Sequence, residues 1–308
     1  MRLLITGATG FVGRHLIAGL PPDVAWVGLA RSGGAQVIAA DVLDAAGLRH
    51  VMGRVRPDVV VHLAAISQAG ADLDHLRRVN VDGAVHVAEA TWAEAPRARL
   101  IVASTGYVLG ETGRAPADER ATLAPVGPYA SSKAEMEVEL GRLAQGRSLH
   151  ILRPFNHTGP GQAASHAVPA FALKVRDLPL NDFKLQVGDL TAVRDLSDVR
   201  DLAELLVWLS RSSEPPPLLH ACSGVGRPMG QVLDALLQRA GVVREQVRID
   251  ARGRSALRQN VGDPGLCRAR APLRPRPWQQ TLDDVWAAVA AEALDPTQAT
   301  GRVAPSPT

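Results

Sequence analysis

A glycine-rich turn lies near the start of the chain, between a strand-like segment, Arg2–Thr6, and a helix-like one, Phe11–Leu20. Glycines permit a tight turn and let a pyrophosphate approach backbone N–H groups at the positive end of the helix. The spacing in TGATGFVG is GxxGxxG rather than the commoner GxGxxG, but its place between a strand and a helix favours a dinucleotide site over a purely structural turn. The expected cofactor-binding residues of this turn are Gly7, Thr9, Gly10, Phe11, Val12 and Gly13.

Strand-like and helix-like segments alternate through residues 1–155. The later strand candidates are Val24–Ala30, Gln36–Ala40, Asp58–Leu63, Arg99–Ser104 and His150–Arg153. The helix candidates between them are Ala45–Val55, Asn80–Glu94 and Ala130–Ala144. Apolar strands separated by helices predict a parallel sheet covered on both faces. Right-handed crossovers then give an α/β, doubly wound Rossmann domain over 1–155.

After Pro154 the strand-like and helix-like segments no longer alternate regularly. A helix is predicted over Asp195–Ser210, so that 191–212 returns to the first domain. The remaining elements expected are a strand Leu218–Cys222, a helix Gly230–Ala240, a strand Val247–Asp250 and a helix Gln279–Ala293. We assign 156–190 and 213–294 to a smaller C-terminal α/β substrate-binding lobe. Residues 295–308 are rich in Pro, Thr and Ala and are expected to form a flexible tail.

Composition narrows the function classes. The net charge of +3 does not demand a nucleic-acid partner. No apolar run approaches the roughly 20 residues of a membrane helix, and the start of the chain lacks a secretory h-region. The two cysteines lie far apart, which argues against a disulfide scaffold or a cysteine-built metal site. We expect a cytoplasmic protein with no membrane, metal or nucleic-acid partner.

The end of the second strand indicates which dinucleotide binds. An acidic residue there would bond the ribose hydroxyl of NAD, but the sequence has Arg31, which is placed to pair with a 2′-phosphate. NADP is therefore preferred and NAD remains possible; the alternative is a solvent-facing arginine. Further cofactor contacts are expected from Asp41, Val42, Leu63, Ala64 and Ala65. His62 is expected to be a packed strand histidine.

Tyr129 and Lys133 are four residues apart in a predicted helix. Residues at this spacing share one helix face, so the ammonium would stabilise the phenolate and lower the pKa of the tyrosine toward working pH. Such a phenol can exchange a proton with a carbonyl or hydroxyl group. The chain has only two tyrosines and three lysines, which makes a chance surface pair the weaker reading. A partner hydroxyl is expected from Ser104 or Thr105 at the end of the fifth strand.

Five motifs carry a family resemblance. TGATGFVG, HLAA, ASTGYVLG, YASSK and RPFNHTGPGQ resemble those of the extended short-chain dehydrogenase/reductase family, over about residues 1–240. The branch is the one that acts on nucleotide sugars. RPFNHTGPGQ is most similar to the GDP-4-dehydro-6-deoxy-D-mannose reductases, which form GDP-D-rhamnose.

The resemblance implies roles for several residues. Thr105 matches the catalytic hydroxyl, and Tyr129 and Lys133 match the general acid and its partner. Asn156 matches the residue that holds the substrate diphosphate, and Arg194 lies near the sugar-nucleotide pocket. The resemblance also implies a homodimer formed by the helices around Val81–Glu94 and Ala130–Ala144. The apolar residues Val85, Val87, Ala88 and Trp92 support it, because they occupy more than one face of the first helix.

Departures from the family pattern narrow the chemistry. Relatives that dehydrate their substrate have Asp-Glu after the catalytic threonine, whereas this chain has Gly106 and Tyr107. The epimerase/reductases that act at C3 and C5 have a cysteine in that loop, and none is near. Carbonyl reduction or C4 epimerisation remains.

An arginine-rich segment lies beyond these motifs. Arg244–Arg276 holds nine arginines, of which Arg252 or Arg254 could clamp a diphosphate. The alternatives are a solvated basic face and nucleic-acid contact, and the lack of interleaved aromatic residues argues against the latter.

The expected function is NADPH-dependent reduction of the C4 carbonyl of a nucleotide-linked 4-keto-6-deoxyhexose, most specifically GDP-4-dehydro-6-deoxy-D-mannose to GDP-D-rhamnose. One alternative is a nucleotide-sugar 4-epimerase that retains NAD. Another is a non-catalytic NADP-sensing regulator on the same fold, which the Tyr129/Lys133 pair disfavours because a sensor does not need it.

Overall fold

The computed structural model describes residues 1–67, 72–179 and 184–292. Its strands are β1 (Arg2–Thr6), β2 (Ala25–Ala30), β3 (Val37–Ala39), β4 (Val59–His62), β5 (Arg99–Ala103), β6 (Leu149–Pro154), β7 (Asn156–Thr158), β8 (Lys184–Val187), β9 (Val193–Asp198), β10 (Leu218–Ala221), β11 (Gly226–Pro228), β12 (Arg248–Ala251) and β13 (Gln259–Asn260). Its α-helices are α1 (Phe11–Ala18), α2 (Ala45–Val55), α3 (Leu73–Arg77), α4 (Gly83–Glu94), α5 (Pro128–Ala144), α6 (Ala167–Arg176), α7 (Val199–Arg211), α8 (Met229–Arg239), α9 (Gly265–Arg270) and α10 (Trp278–Glu292). A π-helix, Arg78–Asp82, leads into α4, and short 3₁₀ turns cover Gly106–Leu109 and Arg244–Gln246.

A seven-stranded parallel sheet forms the first half of the molecule. Its strand order is β10-β6-β5-β4-β1-β2-β3. One face packs on α1 and α7 through residues such as Leu16 and Leu206, and the other packs on α2, α4 and α5 through residues such as Met52 and Met136. The strand order reverses between β1 and β4, where doubly wound sheets bind ligands. The predicted α/β Rossmann fold is confirmed.

The second half has its own apolar core. Side chains of α6, α8 and α10 pack together there, with Phe171, Leu236 and Leu282 buried among them. Strands β7, β11 and β13 pair with β9, and β8 pairs with β12. This layer stands beside the carboxyl ends of the large sheet, because β7 follows β6 after a single residue.

Two elements differ from the sequence prediction. Residues 195–198, predicted to be helical, belong to β9, and the helix begins only at Val199. Pairing of β9 with its neighbours overrides the helical pattern, and the Asp198 carboxylate accepts a hydrogen bond from the Arg200 amide at the helix start. Leu218–Ala221, assigned to the second lobe, is the edge strand of the large sheet, because it pairs with β6.

The helix faces expected to form a dimer are partly internal. Val87, Ala88 and Trp92 are buried in the chain's own core, so they offer no outer face. No helix within the described ranges is long and apolar enough to cross a membrane. The predicted flexible tail, 295–308, lies outside the described residues.

Candidate active site

A cavity of about 450 Å³ lies at the carboxyl ends of β1, β4 and β5. Of the predicted cofactor-binding residues, its wall includes Gly7, Gly10, Phe11, Val12, Gly13, Leu63 and Ala65. Thr9, Arg31, Asp41, Val42 and Ala64 lie outside that wall. Tyr129 and Lys133 line the same cavity. The structure thus brings most of the glycine turn together with the Tyr–Lys pair.

The glycine turn has the shape of an anion cradle. Gly7 has a φ of +68°, and a Cβ there would lie 2.8 Å from the Ala64 amide nitrogen. A Cβ on Gly13 would lie 2.4 Å from the Gly7 carbonyl oxygen. Gly10 caps α1, and as a glycine it has no side chain to bond the amide groups of the first helical turn. These N–H groups at the positive helix end therefore fit a dinucleotide pyrophosphate.

The predicted catalytic residues converge at one wall of the cavity. Helix α5 begins at Pro128 and places Tyr129 and Lys133 one turn apart. The Lys133 ammonium donates to the carbonyl oxygen of Ala103 at 2.8 Å. The Thr105 hydroxyl oxygen accepts from the Tyr107 amide at 3.2 Å, which leaves the hydroxyl proton free to donate. Three groups that can donate a proton or a hydrogen bond therefore face one space.

The electrostatics differ from the sequence prediction in one respect. Burial raises the pKa of Tyr129 to about 12, although hydrogen bonding with Thr105 opposes this. The sequence predicts that Lys133 lowers the pKa of Tyr129, and this prediction is wrong. The Lys133 ammonium is bound to a backbone carbonyl, and burial lowers its own pKa to about 8. Tyr129 is thus held in its protonated form, as a proton donor requires.

His62 is the packed strand histidine that the sequence predicted. It is buried, and its Nδ1 lies 2.7 Å from the Thr6 hydroxyl. That hydroxyl also accepts from the Leu63 and Ala64 amides. Burial lowers the pKa of His62 to about 3, so the ring is neutral.

A second cavity of about 490 Å³ adjoins the first. The predicted substrate residues Asn156, Arg194, Arg252 and Arg254 all line it. The residues that line both cavities are Tyr107, Asn156, His157, Gln162 and His166. At this junction the Asn156 side-chain amide donates to the Tyr107 hydroxyl at 3.0 Å. A ligand that spans the junction would reach from the Tyr–Lys pair to the arginines.

The three arginines are not equally free to bind a ligand. Arg194 is buried, and its guanidinium donates to the carbonyl oxygens of Val193 at 2.8 Å and Leu257 at 2.9 Å and to the Ser255 hydroxyl. Arg252 pairs with Asp250 at 2.7 Å, yet its side chain is 69% exposed. Arg254 is exposed at the cavity wall. Arg252 and Arg254 therefore fit a diphosphate better than Arg194 does.

Sequence analysis assigned no binding role to several wall residues. These are Tyr107, His157, Gln162, His166 and Lys174. His157 and Gln162 lie inside RPFNHTGPGQ, and Tyr107 lies inside ASTGYVLG, so the motifs themselves carried the signal. Within the described ranges, no group of three or more His, Cys, Asp or Glu residues could hold a metal ion.

Comparisons with known proteins agree with this geometry. The model of the NAD dependent epimerase/dehydratase family matches residues 3–218. The chain is 30% identical to GDP-6-deoxy-D-mannose reductase of Pseudomonas aeruginosa, over 84% of this chain and 87% of the relative. Among solved structures, it resembles RMD from Pseudomonas aeruginosa complexed with NADPH, with a TM-score of 0.82, 26% identity and coverage of 94% and 99% of the two chains. It also resembles UDP-glucose 4-epimerase of Thermus thermophilus complexed with NAD, with a TM-score of 0.81, 26% identity and the same coverage.

Proposed function

The chain belongs to the NAD dependent epimerase/dehydratase family, and we propose that it is an NADPH-dependent reductase of a nucleotide-linked 4-keto-6-deoxyhexose. The substrate proposed is GDP-4-dehydro-6-deoxy-D-mannose and the product is GDP-D-rhamnose. One observation carries the proposal: a cavity with a glycine cradle and a Tyr–Lys pair shares a wall with a cavity that exposes arginines. Residues 1–155 with 191–212 would hold the dinucleotide. Residues 156–190 and 213–294, without Leu218–Ala221, would hold the nucleotide sugar.

The cofactor would supply the hydride when bound. Gly10 and Gly13 would hold its pyrophosphate at the start of α1, and Arg31 would pair with the 2′-phosphate that distinguishes NADP from NAD. Arg31 is exposed at the end of β2, where it can reach a ligand without leaving a buried site.

The chain's own residues would then transfer a proton to the C4 oxygen. Tyr129 donates to the C4 oxygen as negative charge develops there. The Thr105 hydroxyl, which hydrogen-bonds Tyr129, would donate to the same oxygen once the substrate is bound, and the Lys133 ammonium would stabilise the phenolate that is left. A phenol whose pKa is about 12 stays protonated until that transfer.

Reduction is favoured over dehydration by the loop after Thr105. Elimination of water needs an acid and a base near the sugar. A Cβ on Gly106 would lie 2.7 Å from the Phe155 ring, so no carboxylate fits at that position. The next residue, Tyr107, has a phenol hydrogen-bonded to Asn156.

The nucleotide is proposed from chemistry and from similarity. A diphosphate is multiply charged, and charge-assisted bonds to Asn156, Arg252 and Arg254 would exceed the neutral contacts of a nucleoside. The guanine base is proposed from the likeness to a reductase of a GDP-sugar.

A turnover assay tests the proposal. The purified chain should oxidise NADPH in the presence of GDP-4-dehydro-6-deoxy-D-mannose and release both NADP⁺ and GDP-D-rhamnose, identified by NMR. A tightly retained NAD, with no net oxidation of cofactor, would instead indicate the 4-epimerase. The similarity to UDP-glucose 4-epimerases supports this alternative. NADPH binding without turnover of any nucleotide sugar would favour the regulator.

Calorimetry with GDP, UDP, dTDP and GMP separates the two parts of the substrate proposal. GDP should bind more tightly than GMP. Tighter binding of UDP or dTDP would refute the GDP-sugar while leaving the reductase chemistry intact.

A further inference from the structure

Two side chains on the inner face of α5 form hydrogen bonds with successive residues at the end of β5. The Lys133 ammonium donates to the Ala103 carbonyl at 2.8 Å, and one turn later the Glu137 carboxylate accepts from the Ser104 hydroxyl at 2.5 Å. Thr105 follows directly. Residues four apart share a helix face, so a single face of α5 holds the segment that carries the catalytic hydroxyl.

A buried arginine fixes Glu137 in place. Arg153 donates to the Glu137 carboxylate through Nε at 3.0 Å and Nη2 at 2.6 Å, and the two side chains are 5% and 6% exposed. Arg153 lies on β6, and the β5–β6 pairing continues through the Ser104 amide, which donates to the Leu152 carbonyl at 2.7 Å. A buried ion pair is weak evidence for stability, because desolvation offsets the attraction. Its place behind the site suggests a second role.

The titratable groups that face Lys133 come from three elements. On α5 it faces Tyr129 and Glu137, and from β4 it faces His62, which is neutral. Tyr107 faces the same space beside Tyr129. Of these described groups, Glu137 carries the negative charge, and it raises the pKa of Lys133 against the lowering by burial.

We propose that Glu137 is a positioning residue, which holds Ser104 and the end of β5 against α5 and keeps the Lys133 ammonium charged, while Arg153 orients its carboxylate. This inference rests on the proposed function, since it assumes that the Lys133 charge serves the reaction. Glu137 itself touches neither of the two cavities.

Glu137→Gln tests the charge. On the alkaline side, kcat should decline at a pH about one unit lower than in the wild type, because Lys133 loses a charge partner one helical turn away. Glu139→Gln is the matched control: it removes the same charge from the same helix, where Glu139 pairs with Arg142 at the surface. That control should keep the wild-type pH profile.

Further variants keep the inference testable if Glu137→Gln does not fold. Glu137→Gln leaves Arg153 buried without its anion, so the double variant Glu137→Gln/Arg153→Met removes both charges. It should shift the alkaline limb in the same direction by a smaller amount, because loss of the Arg153 cation offsets part of the loss of the Glu137 anion. Ser104→Ala keeps the ion pair and removes one hydroxyl; it should lower kcat about fivefold, as the loss of one hydrogen bond allows, without moving the alkaline limb. Glu137→Asp keeps a carboxylate and should restore most of the wild-type profile.

The outcomes separate this inference from the proposed function. An unshifted alkaline limb in a folded Glu137→Gln variant, or in the double variant if the single one does not fold, would overturn the inference. If neither folds, wild-type kcat in Ser104→Ala would overturn it. Tyr129→Phe at full turnover would instead refute the proposed chemistry, whatever the Glu137 variants show.

Discussion

Gly13→Ala should weaken NADPH binding, because the cradle has no room for a methyl group. The added Cβ would lie 2.4 Å from the Gly7 carbonyl oxygen and 2.7 Å from that of Ala8. Cβ atoms essentially never come within 3.0 Å of such neighbours, so the turn must move by about 0.6 Å. Both contacts are backbone atoms and cannot rotate away.

A shift of that size matters at a preorganised site. Binding groups need to be held within about 0.5 Å of their productive positions. Loss of one hydrogen bond to a charged group costs about 1.5–3 kcal/mol, which corresponds to roughly a 10- to 150-fold rise in the Kd for NADPH. Overpacking itself should lower the free energy of unfolding by about 1–3 kcal/mol.

Gly141→Ala is the matched control. Gly141 lies in α5, and a Cβ there would meet nothing within 4 Å. Alanine should stabilise the helix by about 0.5–1 kcal/mol and leave NADPH binding unchanged. Fluorescence titration with NADPH and thermal unfolding of all three proteins make the comparison. A Gly13→Ala variant that binds NADPH within about threefold of the wild type would refute the assigned cradle.

Four further predictions can be checked with standard assays. Tyr129→Phe should cut kcat by about 10²-fold or more, with little change in the Kd for NADPH, because the ring still packs while the proton donor is gone; turnover close to wild type would remove Tyr129 from the mechanism. Arg31→Asp should reverse the preference for NADP over NAD in paired titrations, and equal wild-type affinities would show that Arg31 serves neither. The value of kcat should fall as pH rises through about 8, where Lys133 loses its proton. The free energy of unfolding should rise between about pH 8 and 10.5, because over that interval Lys133 is protonated in the unfolded chain and neutral in the folded one. Sedimentation at micromolar concentration should show a homodimer built on α4 and α5, with a monomer as the contrary result.

Local patterns in the sequence were enough for the large sheet and the glycine turn. Apolar runs separated by helical patterns predicted the six strands of residues 1–155 in order, and helix α2 begins and ends where the pattern placed it. The short helix α3 was not predicted. Tyr129 and Lys133 could be paired in advance because a helix puts residues four apart on one face. Such features depend on neighbours within one or two turns, so the sequence carries them directly.

Other features depend on contacts between distant parts of the chain. Leu218–Ala221 joins the large sheet because β6 offers a free edge. Residues 195–198 form a strand because β7 pairs with 196–198 and β11 pairs with Asp195. Neither edge is visible in the local pattern. Pairing across a sheet overrides helical periodicity, since each backbone N–H and C=O needs a partner.

Electrostatics at the site were likewise decided by tertiary structure. The residue types and their spacing identified Tyr129 and Lys133, but the direction of the Tyr129 pKa shift follows from burial, which the sequence does not state. Arg194 was predicted among the substrate residues, yet in the structure its guanidinium already donates to backbone carbonyl oxygens and to the Ser255 hydroxyl. The sequence by itself determined which chemical groups are present and which share a helix face. Only the folded chain decided which of them are desolvated, which are already paired and which remain free to meet a ligand, because those properties depend on neighbours that are remote in sequence.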